Sequence, residues 1–509
     1  MGDTLTNLLM GFSSAFSPLN FFLACLGCFL GTIVGVLPGV GPLAGISLLL
    51  PITFKIDPTG GIILLCGVYY GAMYGGSTTS ILMRMPGEAA SVMTCIAGYA
   101  MARKGQAGPA LAISAIGSYV AGTGAVIALM FVAPPLAEYA LRFGPPEYFS
   151  LLTMGLIVMG YMTGGSMLKN LSMVVLGLLF GLVGIDTMSG EFRFSFGLAT
   201  LGAGISIVPV AVGLFGLAEI FSSAGDPNRP EVVKTKLRDL LPSRDQLKRS
   251  VAPIGRGTLL GFLIGIIPGS AHIISTFLSY GIERRLSKTP ERFGKGAIEG
   301  VAGPESANNA ASTGALVPML ALGVPTGPIP AVLLAALMVH GITPGPLFIT
   351  EHAATFWALI GSMYLGNFVL LLLNLPLIGL FVSFLRIPYK YLYPSILIFC
   401  IIGTYAENYN VVDVGIMAAM GLLGYFLRKF DYEPAGLVLG MVLAPVIERS
   451  LRQSLAMSHG NYAIFFYRPI SLFFLLVTLI LVITALVSVF RNTESLWRKR
   501  LTQSEKEEF

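Results

Sequence analysis

The sequence predicts an all-α polytopic membrane protein, with about ten to twelve transmembrane segments in two inverted-topology repeats that contain broken helices and re-entrant hairpins. Three observations carry this expectation. The 509 residues are 54% hydrophobic and only 11% charged, far below the charge of a water-facing domain. Apolar runs long enough to cross about 30 Å of hydrocarbon recur along the chain, for example over 110–134, 147–165, 199–220 and 470–490. A glycine and proline pattern in the first half also returns in the second.

The opening "MGDTLTNLLMGFSS" lacks the basic region and small-residue cleavage site of a signal peptide, so the first apolar segment is expected to stay. The net charge of +6 is scattered over short loops without interleaved aromatics, which argues against a nucleic-acid surface. Cys25, Cys28, Cys66, Cys95 and Cys400 all lie in apolar segments, so neither a disulfide framework nor a metal role for the Cys25-x-x-Cys28 pair is expected.

The first break is "GVLPGVGP", Gly35 to Pro42, set between apolar runs that read as helix. A helix interrupted in a bilayer leaves N–H and C=O groups that must be satisfied by protein or by a water-filled cavity. The exposed backbone therefore lines a site, where free N–H groups suit an anion and free carbonyls a small cation. A second polar break follows at "YGGSTTSILMRMPGEAAS", Tyr74 to Ser91.

A polar stretch, Ser222 to Ser250, carries seven Lys or Arg against four Asp or Glu and divides the chain almost in two. The organisation read from this is a first transmembrane repeat over 1–221, a cytoplasmic polar linker over 222–253, a second repeat with additional C-terminal spans over 254–490, and a cytoplasmic tail over 491–509. Beyond the linker, "GFLIGIIPGSAH" matches Gly31, Gly35, Pro38 and Gly39 with Gly261, Gly265, Pro268 and Gly269, at a constant offset of 230 residues. The second polar break returns as "GPESANNAASTGALVPMLALGVPTGP", Gly303 to Pro328, with Ser312-Thr313 in place of Ser77-Thr78 and Pro325 in place of Pro86.

Matching loops carry opposite charge signals. After the Pro-Gly break the first half has "TFKIDPTG" with one Lys, and the second has "ERRLSKTPERFGKG" with five Lys or Arg. After the polar break the bias swaps, with "MARKGQAG" against "HGITPGPLFITEH", which has no Lys or Arg. Because Lys and Arg in short loops stay in the cytoplasm, the two copies are expected to insert upside down relative to each other, with Lys104 and Arg284 both cytoplasmic. That is the architecture of secondary transporters.

The side chains at the breaks are mostly hydroxyls and amides: Ser77, Thr78, Thr79, Ser80, Ser306, Asn308, Asn309, Ser312 and Thr313. Neutral oxygen donors suit sodium or a carboxylate better than a transition metal, so Ser77, Thr79, Asn308 and Thr313 are the expected sodium ligands and no organic cofactor is expected. Arg84 is expected to hold an anionic substrate group opposite Asn308, since its fork matches a carboxylate, although it could instead neutralise Glu88. Glu299, Glu305 and His272 also lie in or beside the breaks, and His272 reads as an ordinary hydrogen-bonded histidine. Glu448, Arg449 and Arg452 read as a charged cluster at a membrane boundary or subunit contact.

"GVLPGVGP", "YGGSTTSILMRMPGEAAS", "GYAMARKGQAGPAL", "GIIPGSAHIISTFLSYGIERRLSK", "FGKGAIEGVAGPESANNAA", "MVHGITPGP" and "APVIERSLRQSL" together resemble the large membrane subunit of the tripartite tricarboxylate transporters, the TctA family, over nearly the full chain. The resemblance implies a multi-pass permease of the bacterial inner membrane that works with a small membrane subunit and a periplasmic substrate-binding protein. It also implies a drive by an ion gradient, usually sodium, and import of small organic anions, tricarboxylate or other carboxylate. It puts the paired Pro-Gly loops on Pro38-Gly39 and Pro268-Gly269 and the polar hairpin tips on Ser77 to Thr79 and Asn308-Asn309. The chain departs from the family pattern at Arg84, Ala97, Ser270 to His272 and Pro325-Thr326. An enzyme is not expected, since neither G-x-S-x-G nor H-E-x-x-H occurs. The other reading is an ion-coupled carrier or channel for a different small solute.

Overall fold

The computed structural model describes residues 2–37, 41–162, 166–186, 188–197, 199–223, 240–269, 271–384, 389–484 and 487. Among these residues the chain is almost wholly helical; one two-stranded ribbon, Gly184–Ile185 with Phe192–Arg193, is the exception. Ten helices position the site. The first half supplies α1 (Pro18–Val36), α2 (Gly41–Thr53), α3 (Pro58–Met83), α4 (Val92–Ala102) and α5 (Ala107–Ala140). The second supplies α6 (Arg244–Gly265), α7 (Ala271–Leu286), α8 (Glu299–Gly314), α9 (Leu316–Leu322) and α10 (Pro328–Val339).

Local chemistry sets several of these starts. Pro18 and Pro58 occupy first-turn positions that need no N–H donor. Asp57 caps α3 by accepting from the N–H groups of Thr59 (3.1 Å) and Gly60 (3.4 Å). Ser243 and Gln246 cap α6 reciprocally, at 3.2 and 2.8 Å.

Four described helices are long and apolar enough to cross a membrane: α1, α5, Ala353–Asn374 and Val411–Lys429. That is fewer than the ten to twelve spans expected, in part because further apolar helices, among them α2, Met167–Gly181 and α10, are shorter. The apolar run 199–220 is not one helix; it divides into Ala199–Leu201, Ile207–Ala211, a π-helical turn over Val212–Leu217 and Ala218–Ser223. The central helices α3 and α8 are buried on every side from Gly60 to Met83 and from Gly300 to Gly314, and they carry polar side chains inward. A helix buried all round sits in protein, not against lipid.

The same packing is built twice. Helix α1 lies so close to α3 that a Cβ on Gly27, Gly31 or Gly35 would fall 2.3, 2.4 or 2.2 Å from the carbonyl oxygen of Leu64, Val68 or Ala72. Helix α6 lies against α8 in the same way, with Gly257, Gly261 and Gly265 facing the carbonyls of Gly303, Ala307 and Ala311 at 2.3, 2.2 and 2.6 Å. The offset is 230 residues on the glycine helix and 239 on its partner. Both series rise together, so each pair is parallel, and α2 or α7 is the connection between its members. Small residues let backbones approach where lipid provides no hydrophobic drive for helix association.

Helices α3 and α8 meet antiparallel. Ser77, late in α3, bonds to Glu305, early in α8, while Tyr69 and Tyr70 come beside Ser312 and Thr313. The connecting loops sort accordingly. At one end Lys104 Nζ donates to the carbonyl of Lys295 at 2.5 Å, which joins the loop "MARKGQAG" to "ERRLSKTPERFGKG". At the other end Thr53 Oγ1 lies 3.1 Å from His340 Nε2 and Thr59 Oγ1 lies 3.0 Å from Thr355 Oγ1. Both strongly basic loops thus lie together, and both weakly charged loops lie together.

The charged residues near Glu448 form one cluster. Arg193, from the ribbon, grips both oxygens of Glu448 at 2.6 and 3.0 Å, and Arg452 reaches Asp186 at 2.6 Å and Glu448 at 3.2 Å. The backbone N–H of Met188 and the Arg452 guanidinium hold the Asp186 carboxyl well below the usual carboxylate range. The cluster pins the ribbon to the helix Ala435–Met457.

Candidate functional site

The helices break where proline and left-handed backbone demand it. α3 ends at Arg84, which takes up φ 57°, ψ 26°, and Pro86 follows two residues on. α9 ends at Gly323, with φ 70°, ψ 19°, and Pro325 follows two residues on. The expected hairpin tips are therefore displaced. Ser77, Thr78 and Thr79 lie inside α3, and Asn308 and Asn309 lie inside α8. Ser77 and Asn309 bond to groups on other helices, Thr79 to the Val36 carbonyl and Asn308 to Glu88, so the helices continue through them.

The second Pro-Gly loop sits against the loop that follows α9. Gly269, at φ 134°, donates its N–H to the carbonyl of Thr326 at 2.7 Å. In the first half Gly87 packs onto Gly35 and Gly76 so tightly that a Cβ would come 2.5 Å from the Gly35 oxygen. Pro38 and Gly39 lie outside the described residues, as do most of the polar linker and the tail.

Described residues beside the breaks of both halves face one cavity of about 470 Å³. Its wall includes the first residues of α2 (Gly41 to Ala44), of α7 (His272 and Ile273) and of α10 (Pro328 to Pro330), together with Gly269 and the turn Pro86-Gly87-Glu88. Helix N-termini present unpaired N–H groups and the positive end of the backbone dipole. Pro328 and Pro330 have no N–H, so α2 and α7 supply most of the donors. Phe215, on the π-helical turn, and Met73 add apolar wall, and Glu219, Arg428 and Glu433 bring charge to the same cavity. Arg428 is ion-paired with Glu219.

Behind the wall lies a buried polar network. Asn308 Nδ2 donates to Glu88 Oε1 at 2.6 Å. Asn309 Nδ2 donates to Ser118 Oγ at 2.7 Å and to the Glu305 carbonyl at 3.2 Å. The Glu305 carboxylate accepts from Ser77, from Thr94 and, at 3.1 Å, from Ser114. His272 Nε2 lies 2.6 Å from the Tyr69 hydroxyl, the ordinary hydrogen-bonded role read for it.

The residues singled out from the sequence separate into three groups. Ser77, Asn308 and Asn309 join the network, and Gly269 lines the cavity beside half-buried Pro268. Thr78 and Thr313 are buried, and Thr79 donates to the Val36 carbonyl at 2.6 Å, tying α3 to the end of α1. Arg84 is exposed. Its guanidinium lies over the Tyr99 ring, 5.9 Å from the centroid, and it lines a separate cavity of about 290 Å³ with Cys95 and Gly294. No ion pair joins Arg84 to Glu88 among the described residues. Thr94, Ser114, Ser118, Tyr69 and Arg428 carry no local sequence signal, because each acquires its role from a partner more than 190 residues away.

Residues 21–439 match the family described as the tripartite tricarboxylate transporter TctA family. The chain is 48% identical over 492 residues, 97% of its own length and 98% of the relative's, to an Agrobacterium vitis protein named "Uncharacterized 52.8 kDa protein in TAR-I ttuC' 3'region". A second Agrobacterium vitis protein, "Uncharacterized protein in TAR-II ttuC' 3'region", is 48% identical over 232 residues, 46% of this chain and 96% of that one. No solved structure matches. The chain is a membrane protein that belongs to the tripartite tricarboxylate transporter TctA family.

Proposed function

We propose that the chain is the permease subunit of a secondary active carrier that imports small organic anions, tricarboxylates or other carboxylates, across the bacterial inner membrane. In this reading a periplasmic binding protein delivers the anion, a small membrane subunit completes the complex, and a sodium gradient drives uptake. The observation that supports it best is the convergence of the break loops of both halves, with three helix N-termini, on one cavity of about 470 Å³. That volume lies within the common range for small-molecule sites, and helix N-termini suit carboxylate oxygens. In this reading Pro38, Gly39, Pro268 and Gly269 belong to the loops that hold the anion, and Asn308 acts through Glu88, which lines the cavity.

The reading includes two oppositely oriented repeats. It is supported by the repeated glycine packing, the antiparallel meeting of α3 and α8, and the grouping of basic loops at one end. Two related bodies around a central site are the usual basis of alternating access. The test is uptake of labelled citrate and smaller carboxylates by vesicles containing the complete three-component system. Accumulation above the outside concentration, abolished by a sodium ionophore, is the expected result. Equilibration without accumulation would make the protein a channel, and accumulation driven equally well by a pH step in sodium-free buffer would remove sodium.

A further inference from the structure

Glu305 has no task in the anion cavity, yet it is the most enclosed carboxylate of the network, 1% exposed. Its carboxylate oxygens accept from Ser77 on α3, Thr94 on α4 and Ser114 on α5. Four helices from the two halves therefore converge on it, counting its own α8. No Lys, Arg or His forms an ion pair with it among the described residues. A buried carboxylate with no counter-ion is costly, and a few neutral hydroxyls do not replace a positive charge.

The three donors are all hydroxyls, and a hydroxyl keeps lone pairs that a backbone or amide N–H lacks. Rotation of the three O–H bonds turns the same groups from hydrogen-bond donors into oxygen ligands. Two carboxylate oxygens and three hydroxyl oxygens then form an all-oxygen set with a single negative charge. Hard oxygen ligands exclude the softer transition metals, and divalent calcium or magnesium is ordinarily held by more charge than one carboxylate. All three hydroxyls already surround one carboxylate, so a small opening of the set admits a small ion.

We infer that Glu305, Ser77, Thr94 and Ser114 form a binding site for a monovalent cation of sodium's size, shared between the two halves. Its purpose rests on the proposed carrier function. A cation there ties α3, α4 and α5 to α8, and one turn further along α8 Asn308 holds Glu88, which lines the anion cavity. Occupancy of the two sites is thereby joined through a single turn of helix. Of the sodium ligands expected from sequence, Ser77 is retained and Thr79 serves instead as a comparison, since its hydroxyl is committed to the Val36 carbonyl.

The experiment is equilibrium binding of radioactive sodium to the purified full-length chain in lipid nanodiscs, with no organic anion present. Wild type and Thr79→Val should bind saturably. Glu305→Gln, which keeps the shape and removes the charge, should abolish binding, and Ser114→Ala should weaken it by about ten-fold, the loss of one ligand. Each variant is first checked for a monodisperse profile; if Glu305→Gln does not fold, Ser114→Ala decides. Wild-type binding that Ser114→Ala or a folded Glu305→Gln leaves unchanged overturns the inference, as does the absence of saturable sodium binding by wild type. Either failure leaves the carrier reading to its own uptake test, which needs no assumption about where the cation sits.

Discussion

Asn308 uses one end of its amide and leaves the other without a partner among the described residues. Nδ2 holds Glu88, while Oδ1 is buried and unbonded. Alanine at this position removes the only side-chain donor to Glu88 among the described residues, and a hydrogen bond to a charged group contributes about 1.5–3 kcal/mol. Asn308→Ala is expected to lower uptake at least about ten-fold with membrane-inserted yield retained, measured by labelled-anion uptake and by quantitative immunoblot. Arg84 leads to the opposite expectation. It faces Tyr99 in a separate cavity, so Arg84→Lys should leave uptake within about two-fold, since an exposed cation–π contact contributes only about 0.5–1 kcal/mol. A larger loss would place the anion at Arg84 after all. Its backbone gives a second test. Arg84 occupies the left-handed region that glycine fills at Gly323, so Arg84→Gly should be neutral or slightly stabilising. Gly323→Ala should lower the thermal midpoint, through φ strain of about 1 kcal/mol and through a Cβ placed 2.7 Å from the Pro344 oxygen.

At the scale of elements, the two glycine-faced helix pairs are the parts that tolerate least. A leucine at Gly261 would drive its side chain into the Ala307 carbonyl, and overpacking of this kind costs about 1–3 kcal/mol or more. Gly261→Leu should therefore cut the folded yield sharply. Gly281→Leu, at a helical position with nothing within 4 Å, should not. Fluorescence-detected size-exclusion of the two variants separates a packing effect from a general intolerance of bulk. This is also where the sequence was most legible. The recurrence of Gly31 and Gly35 at Gly261 and Gly265 is visible as spacing alone, and it marks the close approach that the structure contains. The polar runs were misread for a physical reason. Ser77 to Thr79 and Asn308-Asn309 look like loop because their bonding partners are far off in sequence; Ser77 bonds across 228 residues and Asn308 across 220. Local pattern cannot distinguish a polar loop from a helix whose polar groups are satisfied by a distant neighbour. The charges of the cavity were hidden for the same reason, since Arg428 and Glu219 become a pair only when the helix Val411–Lys429 packs beside the π-helical turn.

For the molecule as a whole, the grouping of loops makes a prediction about sidedness. Lys104 touches the loop that follows Arg284, so cysteines placed at 104 and 284 should react with a membrane-impermeant reagent from the same side, expected to be the cytoplasm. Intact cells should protect both, and inverted vesicles should expose both; labelling of one position without the other would separate two loops that the fold places together. The repeated helix pairs carry a further consequence. Bodies that pack by one rule and meet head to tail can exchange roles: a rocking motion that opens the cavity toward one face has a counterpart, of similar energy, that opens it toward the other. A machine of that kind contains no ratchet. If the proposed carrier function holds, its direction of travel is set by the solutions on its two sides, and vesicles loaded with sodium and anion should empty through it when the outer medium contains neither.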